Sequence, residues 1–105
     1  MLHKKPETEV FFANLYCHIN KAKYLNGRTA LILVTSRENK KEGLYKGQHV
    51  AVATINAPNI ELQPDEVLIK NYAQNTNIDE VLIEAKIISP ILRSTEVGPI
   101  CKLLI

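Results

Sequence analysis

Alternating apolar and polar residues mark the beginning of the chain as β-structure. Between Val10 and Ile19 the residues are rich in β-branched and aromatic types. Leu15, Cys17 and Ile19 fall on one face by a period of two, and the polar side chains between them fall on the other. This pattern predicts one half-buried strand from Val10 to Ile19, which can continue to Tyr24.

The Asn26-Gly27 pair predicts the turn that follows. This dipeptide suits the positive φ angles of a two-residue type I′ turn, which would place Tyr24 opposite Thr29. The returning strand, residues 29–36, is apolar on both faces over most of its length. A strand of that kind is expected in the centre of a sheet.

Further strands follow a mixed-charge segment, residues 37–43, which is predicted to be a solvated loop. Residues 48–56 are rich in β-branched types and end before Pro58, which cannot continue a hydrogen-bonded ladder. Residues 62–70 suit either a helix start, because of Pro64 and the acidic residues after it, or a short strand, which is favoured. Short closing strands are predicted at residues 87–88, 91–92 and 100–105.

One helix is predicted before the closing strands. Asn77 and Glu80 have the spacing of a capping box, in which each side chain binds the main-chain N–H of the other residue. Apolar residues then recur at helical spacing, namely Ile78, Val81, Leu82 and Ala85. The chain is therefore predicted to be a single α+β domain over residues 1–105, with residues 1–8 as a flexible lead-in. Its antiparallel β-sheet would be a meander of three strands plus short C-terminal strands, covered by this one main helix.

Composition and charge indicate an ordinary globular protein. The 105 residues are 46% hydrophobic and 23% charged, and the net charge is +2, so the chain is neither disordered nor strongly basic. No apolar run approaches the roughly 20 residues that span a bilayer, and the first residues lack the apolar segment of a signal peptide. We therefore expect a cytoplasmic protein without a membrane partner, in which Cys17 and Cys101 are free thiols.

Candidate catalytic and metal-binding residues are few. Cys17 and His18 are adjacent on a predicted strand and point to opposite faces, which prevents both from binding one metal ion. His49 could meet His18 across the sheet, but a structural or surface role is favoured for both histidines. The acidic pairs 65–66 and 79–80 fit helix starts better than acid–base catalysis. No catalytic residue, metal site or cofactor is predicted, and the chain is not expected to be an enzyme.

Several short motifs are spread along the chain: Tyr24-x-Asn26-Gly27-Arg28-x-Ala30; Ala51-x-Ala53-Thr54-Ile55-Asn56-Ala57-Pro58; Ile69-Lys70-Asn71-Tyr72 with Asn75; and Leu82 with Ala85. Together they resemble a family of small uncharacterised bacterial proteins that are common in phages and other mobile elements and carry a domain of unknown function. The resemblance covers about residues 14–104, although Lys86 stands where that family usually has Gly. It implies no known activity and no catalytic residues.

A binding role is the remaining hypothesis. The outward face of the first hairpin is predicted to present tyrosines beside several cations, and Tyr is common at protein interfaces. The predicted partner-binding residues are Tyr16, His18, Asn20, Lys21, Lys23, Tyr24 and Arg28. With the resemblance, the favoured function is a non-enzymatic protein-binding module of a phage or mobile element. It would act as a stoichiometric inhibitor of a host CRISPR-type defence nuclease complex, that is, as an anti-CRISPR protein.

Two alternatives concern the partner. As a single-stranded nucleic-acid-binding accessory protein, the chain would stack bases on Tyr16 and Tyr24 and contact phosphate with the nearby cations, although its balanced charge argues against this. A homodimer would form through an open edge strand, and the apolar C-terminal strand is the predicted edge.

Overall fold

Four antiparallel strands in chain order form the larger of two sheets. The computed structural model describes residues 8–105, so the predicted lead-in lies outside the described residues except at Thr8. The strands of this sheet are β1 (Glu9–Phe12), β2 (Leu15–Lys23), β3 (Thr29–Thr35) and β4 (His49–Val52). β3 lies between β2 and β4, which confirms both its predicted central place and the predicted meander.

The strand predicted from Val10 to Ile19 is divided into two strands, β1 and β2. Ala13 and Asn14 have positive φ angles of 55° and 62°, and Phe12 pairs with Leu15 across them. Two consecutive residues of positive φ between paired strands indicate a type I′ turn. The prediction of one continuous strand was wrong because Ala-Asn is not one of the dipeptides that signal this turn strongly.

The Asn26-Gly27 turn is longer by one residue than predicted. Lys23 pairs with Thr29, and the N–H of Tyr24 donates to the C=O of Arg28 at 2.8 Å. The N–H of Gly27 donates to the C=O of Tyr24 at 2.9 Å, and Gly27 alone in this loop has a positive φ, 85°. These features describe a type I turn followed by one left-handed residue. The predicted register was therefore wrong by one residue.

Three short strands form the second sheet, with β7 in the middle. They are β5 (Glu66–Leu68), β6 (Arg93–Ser94) and β7 (Pro99–Lys102). The strand favoured within residues 62–70 is therefore confirmed. The strand predicted at residues 91–92 lies two positions later, at Arg93–Ser94. Of the strand predicted at residues 87–88, the structure has only an isolated bridge from Ile88 to Leu103. Because β7 is central, the prediction that the C-terminal strand is an open edge is wrong as well.

The two sheets are joined just beyond the end of β4. Thr54 forms an isolated bridge with Ile69, and the N–H of Lys70 donates to the C=O of Ala53 at 2.8 Å. Gly98 permits the close approach of β7 to this segment, since a Cβ atom at that position would collide with the carbonyl oxygen of Ile69. The chain therefore forms one continuous body around a shared core.

A short helix covers part of the larger sheet. Helix α1 (Ile78–Glu84) begins at Asn77, whose φ is 70° and whose side chain makes no capping hydrogen bond. The predicted capping box was therefore wrong, because a capping residue needs an extended backbone to reach the N–H groups of the first turn. The helix is followed by Lys86 in a left-handed conformation, φ 60°, as in a Schellman motif. Residues 71–77 form the predicted turn, which includes one 3₁₀ turn at Ala73–Asn75.

The core lies between the inner face of the larger sheet, α1 and the second sheet. Its buried members are Val10, Phe12, Cys17, Leu31, Leu33, Ala51, Ala53, Val67, Ile69, Ile78, Leu82, Ile87, Ile88 and Cys101. The opposite face of the larger sheet, which we name the outer face, carries the side chains that alternate with these along the strands. The α+β class is confirmed. Within residues 8–105 no helix has the length and apolar character needed to cross a membrane.

Candidate functional site

Four side chains on the outer side of the sheet form a contiguous group that we name the outer cluster: Glu9, Phe11, Tyr16 and Arg37. Phe11 on β1 lies opposite Tyr16 on β2, with ring centroids 5.0 Å apart and ring planes inclined by 55°. Arg37 follows β3, and its guanidinium carbon lies 3.8 Å from the centre of the Tyr16 ring. The cluster therefore extends across the end of three strands.

Arg37 is held from two directions. Its Nε donates to Oε2 of Glu9 at 2.9 Å and its Nη2 donates to Oε1 at 2.6 Å, while its guanidinium carbon lies over the Tyr16 ring. The hydroxyl of Ser36 donates to Oε2 of Glu9 at 2.5 Å, which fixes the carboxylate as well. Bidentate pairing and ring stacking both depend on the planar guanidinium. The orientation of Arg37 is thus set within the protein itself.

The electrostatics of the cluster keep one cation accessible. The hydrogen bond from Arg37, and after it the one from Ser36, holds the pKa of Glu9 below its ordinary value. The carboxylate therefore stays ionised and paired at neutral pH. A guanidinium has five N–H donors, and the two bonds to Glu9 leave three of them without a bond to residues 8–105, on an Arg37 side chain that is 58% exposed. These donors suit carbonyl or carboxylate oxygens of a partner.

Two main-chain features bring the cluster together. The type I′ turn at residues 13–14 sets the register that places Phe11 opposite Tyr16 and Glu9 opposite His18. The N–H of Ser36 donates to the C=O of Tyr16 at 2.9 Å, which keeps the chain beyond β3 beside β2. Arg37 can therefore reach over Tyr16 to the carboxylate on β1.

The predicted partner-binding residues do not form one surface. Tyr16, His18 and Asn20 share the outer face, where Tyr16 and Asn20 are exposed and His18 is half-buried. Tyr24 lies beyond the other end of β2, roughly 26 Å from Tyr16 at about 3.3 Å per residue. A single small partner surface cannot easily cover both tyrosines.

Tyr24 and Arg28 make contacts within the protein. The Tyr24 hydroxyl lies 2.9 Å from Oγ1 of Thr54. Arg28 donates from Nη1 to the C=O of Ala57 at 2.8 Å and from Nη2 to the C=O of Ile60 at 2.6 Å. These bonds fasten the loop after β4 to the second hairpin, and both side chains are half-buried.

The two lysines of the predicted site lie away from the outer cluster. Lys21 and Lys23 alternate with the outer-face residues of β2 and therefore point to the inner side. There the Nζ of Lys21 donates to the C=O of Ile105 at 3.1 Å, and Lys23 stays exposed. Neither lysine adds positive charge beside Tyr16.

The described residues bring no metal or thiol chemistry together. Within residues 8–105 no group of three His, Cys, Asp or Glu side chains could hold a metal ion. Val34 lies between His18 and His49, so these histidines are two strands, or roughly 10 Å, apart. Cys17 and Cys101 are free and buried, and burial raises the pKa of each thiol to about 11. Both thiols are therefore protonated and poorly nucleophilic near neutral pH.

Three members of the outer cluster escape prediction from sequence. A continuous strand through residues 10–19 would turn Phe11 inward together with Cys17, whereas the turn at residues 13–14 reverses this and directs Phe11 outward. Arg37 belongs to the segment predicted as a solvated loop, and Glu9 lies next to the predicted lead-in. Asn14 was the available signal, because Asn is enriched among residues of positive φ.

Comparison of the chain with models of known protein families, with curated proteins and with solved structures gives no match. The resemblance to the mobile-element family therefore stays a prediction. The function is best argued from the outer cluster and from the surfaces beside it.

Proposed function

We propose that this chain is a non-enzymatic protein-binding module that meets its partner through the outer cluster. The observation that carries the proposal is the placement of Arg37, which is bidentate on Glu9 and stacked on Tyr16 while most of its side chain stays exposed. Tyr and Arg are enriched among the residues that dominate binding energy at interfaces. A side chain that is already oriented loses less conformational entropy when a partner binds.

The exposed aromatic area supports the same proposal. Phe11 is 53% exposed and Tyr16 is 44% exposed, and the two rings lie side by side on rigid strands. Rings held on a sheet can bury a large area against a partner without first being ordered. The cluster therefore combines apolar area with an oriented cation.

The charge distribution favours a protein over single-stranded nucleic acid. A nucleic-acid surface places cations beside its stacking rings so that they contact phosphate. Here the cation beside Tyr16 is paired with Glu9, and Lys21 and Lys23 point to the other side of the sheet. A neutral pair next to two rings suits a partner that offers apolar and carbonyl groups.

The narrower form of the proposal is stoichiometric inhibition of a CRISPR-type nuclease complex by a phage or mobile-element protein. It is supported by the sequence resemblance and by the small size of the chain, which has 105 residues. This narrower proposal is the reason to test a lysate with a CRISPR-type nuclease complex first. The residues to substitute are chosen from the outer cluster.

The test is affinity capture with tagged protein from a lysate that contains an active CRISPR-type nuclease complex, with bound proteins quantified by mass spectrometry. The double variant Tyr16→Ala/Arg37→Ala removes the centre of the outer cluster, and Lys23→Ala, exposed on the other side of β2, is the matched control. We expect stoichiometric capture by the wild type and by Lys23→Ala, before and after nuclease treatment of the lysate, and loss of capture by the double variant.

Two results would overturn the proposal. Equal capture by the double variant would show that the outer cluster is not the binding surface. Loss of capture after nuclease treatment would transfer support to a nucleic-acid partner. Stoichiometric capture of a protein outside the nuclease complex would overturn the narrower proposal of a CRISPR-type inhibitor. It would support the broader proposal of a protein-binding module only if the double variant fails to capture that protein.

A further inference from the structure

The outer edge of β1 has main-chain groups that face away from the sheet. Along an antiparallel strand, residues bond alternately to the neighbours on either side. The C=O of Tyr16 accepts from Ser36 on the β3 side, so its partner on β1, Phe11, lies at a position without hydrogen bonds to β2. The N–H and C=O of Phe11 therefore point outward, and within residues 8–105 no other main-chain group bonds to them.

The end of β4, at the opposite edge of the same sheet, is covered by a side chain. Along β4 the C=O of Val52 points away from β3 and accepts a hydrogen bond from Nδ2 of Asn75 at 2.7 Å. Asn75 is buried, with 2% of its surface exposed, and it follows the edge as part of the 3₁₀ turn. An edge strand is a template for pairing unless it is covered. The main-chain groups of Phe11 on β1 have no such partner within residues 8–105, so this edge is open to an added strand.

A groove runs beside the edge of β1. It lies between β1 and α1, has a volume of about 240 Å³, and is lined by Glu9, Val10, Phe11, Val81, Glu84 and Ala85. Val81 and Ala85 are half-buried on the side of α1 that faces the groove, whereas Glu84 is exposed. The groove thus has apolar walls and an acidic rim.

We infer that an extended segment of the partner protein adds to β1 as a further strand of the larger sheet, and that the face of this segment turned toward α1 carries both apolar residues and Lys or Arg. This inference rests on the proposed function, because the added strand would lie directly beside the outer cluster. Main-chain bonds to Phe11 supply affinity in such strand addition, and pockets for alternate side chains supply specificity. On that face, the apolar side chains fit between Val10 and α1, and the cations fit Glu84 on the rim and Glu80, which is exposed one turn earlier.

A second copy of this chain fits the edge less well. Two β1 strands paired about a two-fold axis would bring both α1 helices to the same side of the joined sheet. Glu84, which lines the groove, would then approach Glu84 of the other copy. Like charges placed opposite each other oppose association, whereas a basic segment meets the same rim favourably.

The first experiment uses two synthetic peptides and the full chain labelled with ¹⁵N. One peptide has valine and lysine in turn at every second residue, with threonine at the positions between them, so that valine and lysine share one face, and the control has glutamate in place of lysine. With the lysine peptide we expect the amide signals of Glu9 and Phe11 to move downfield and to exchange with solvent more slowly, as new hydrogen bonds form. Unchanged Phe11 signals, an equal response to both peptides, or slow Phe11 exchange without peptide would overturn the inference.

A matched pair of variants isolates the main-chain bond. Phe11→Pro and Phe11→Ala both lose the ring, but only the proline variant lacks the outward N–H. Proline is tolerated at an edge position whose N–H faces solvent. We expect Phe11→Pro to bind the lysine peptide about tenfold more weakly than Phe11→Ala, and equal binding by the two would overturn the inference. If Phe11→Pro does not fold, Glu84→Lys still decides, because it should reverse the preference between the two peptides.

The same variants separate this inference from the proposed function. If Phe11→Pro captures the lysate partner as well as Phe11→Ala does, strand addition is wrong while binding through the outer cluster stands. If Tyr16→Ala/Arg37→Ala captures the partner as the wild type does, the proposed function is wrong, whichever result the peptides give.

Discussion

At one end of β2, Tyr16 stacks beneath Arg37, and Arg37 binds a side-chain carboxylate on the protein surface. Beyond the other end, Tyr24 and Arg28 are half-buried and bind groups of the loop after β4. The two pairs have the same residue types and lie near opposite ends of β2. They differ in their acceptors, because Arg37 pairs with Glu9 whereas Arg28 binds main-chain carbonyls.

This difference indicates what each pair contributes. Bonds from Arg28 to main-chain carbonyls fix the path of a loop that is distant in sequence, so they belong to the fold. Exposed ion pairs contribute little to stability, so the Arg37 pair is better explained by the surface it presents. Residue type does not distinguish a structural arginine from a binding one, whereas the acceptor and the exposure do.

The largest expected effect is on stability, in Arg28→Ala. This change removes two charge-assisted hydrogen bonds, and we expect the free energy of unfolding to fall by about 2 kcal/mol. The midpoint of thermal unfolding should fall by roughly 10 °C. Arg37→Ala, measured in the same way, should change the midpoint much less. An equal loss in both variants would contradict the distinction between the two ends of β2.

Tyr24→Phe should have a smaller effect of the same kind. The Tyr24 hydroxyl bonds to Thr54, whose Oγ1 also accepts from the N–H of Leu31 at 3.2 Å and is buried. Loss of one such bond is expected to lower the free energy of unfolding by about 1 kcal/mol in urea denaturation. Tyr16→Phe is the matched control and should leave stability unchanged, since the side chain of Tyr16 contacts residues 8–105 through its ring and not through its hydroxyl.

The hydrophobic pattern was sufficient for the fold class but not for the details that build the site. The apolar run of β3 identified its central place, because a strand with neighbours on both sides is buried on both faces. The short second sheet has too few residues per strand for a pattern, and β6 at Arg93–Ser94 has no apolar residue. Its register depends on tertiary contacts such as the ion pair of Arg93 with Glu66.

The candidate site was only partly predictable for a related reason. Tyr16 was found because it alternates with buried residues on one strand. Phe11 and Arg37 were missed, because their positions follow from a weakly signalled turn and from a contact between chain segments far apart in sequence. The hydrophobic pattern of one strand identifies which of its side chains share a face. A cluster that crosses three strands can be predicted only if the register between those strands is known.

The turns at the two hairpins should respond in opposite ways to changes at positive φ. Replacing Ala13-Asn14 by Asn-Gly gives the dipeptide preferred in a type I′ turn, and we expect a gain of about 0.5 kcal/mol in the free energy of unfolding. Gly27→Ala places a Cβ at a φ of 85° and should destabilise the protein. Stabilisation by both changes, or by neither, in urea denaturation would contradict the assignment of the two turns.

The smallest expected effect is the pH dependence of the Glu9 carboxylate. Because Arg37 and Ser36 lower the folded-state pKa of Glu9, the stabilisation from this pair is complete above the ordinary carboxylate pKa and is lost as the pH falls through the lowered value. In Arg37→Ala the pKa of Glu9 should rise, and it should stay somewhat below its ordinary value because the Ser36 bond remains. A ¹³C carboxyl titration of both proteins measures the two values. An unchanged pKa in Arg37→Ala would show that the ion pair does not form in solution, and the outer cluster would then lose the fixed cation on which its proposed role depends.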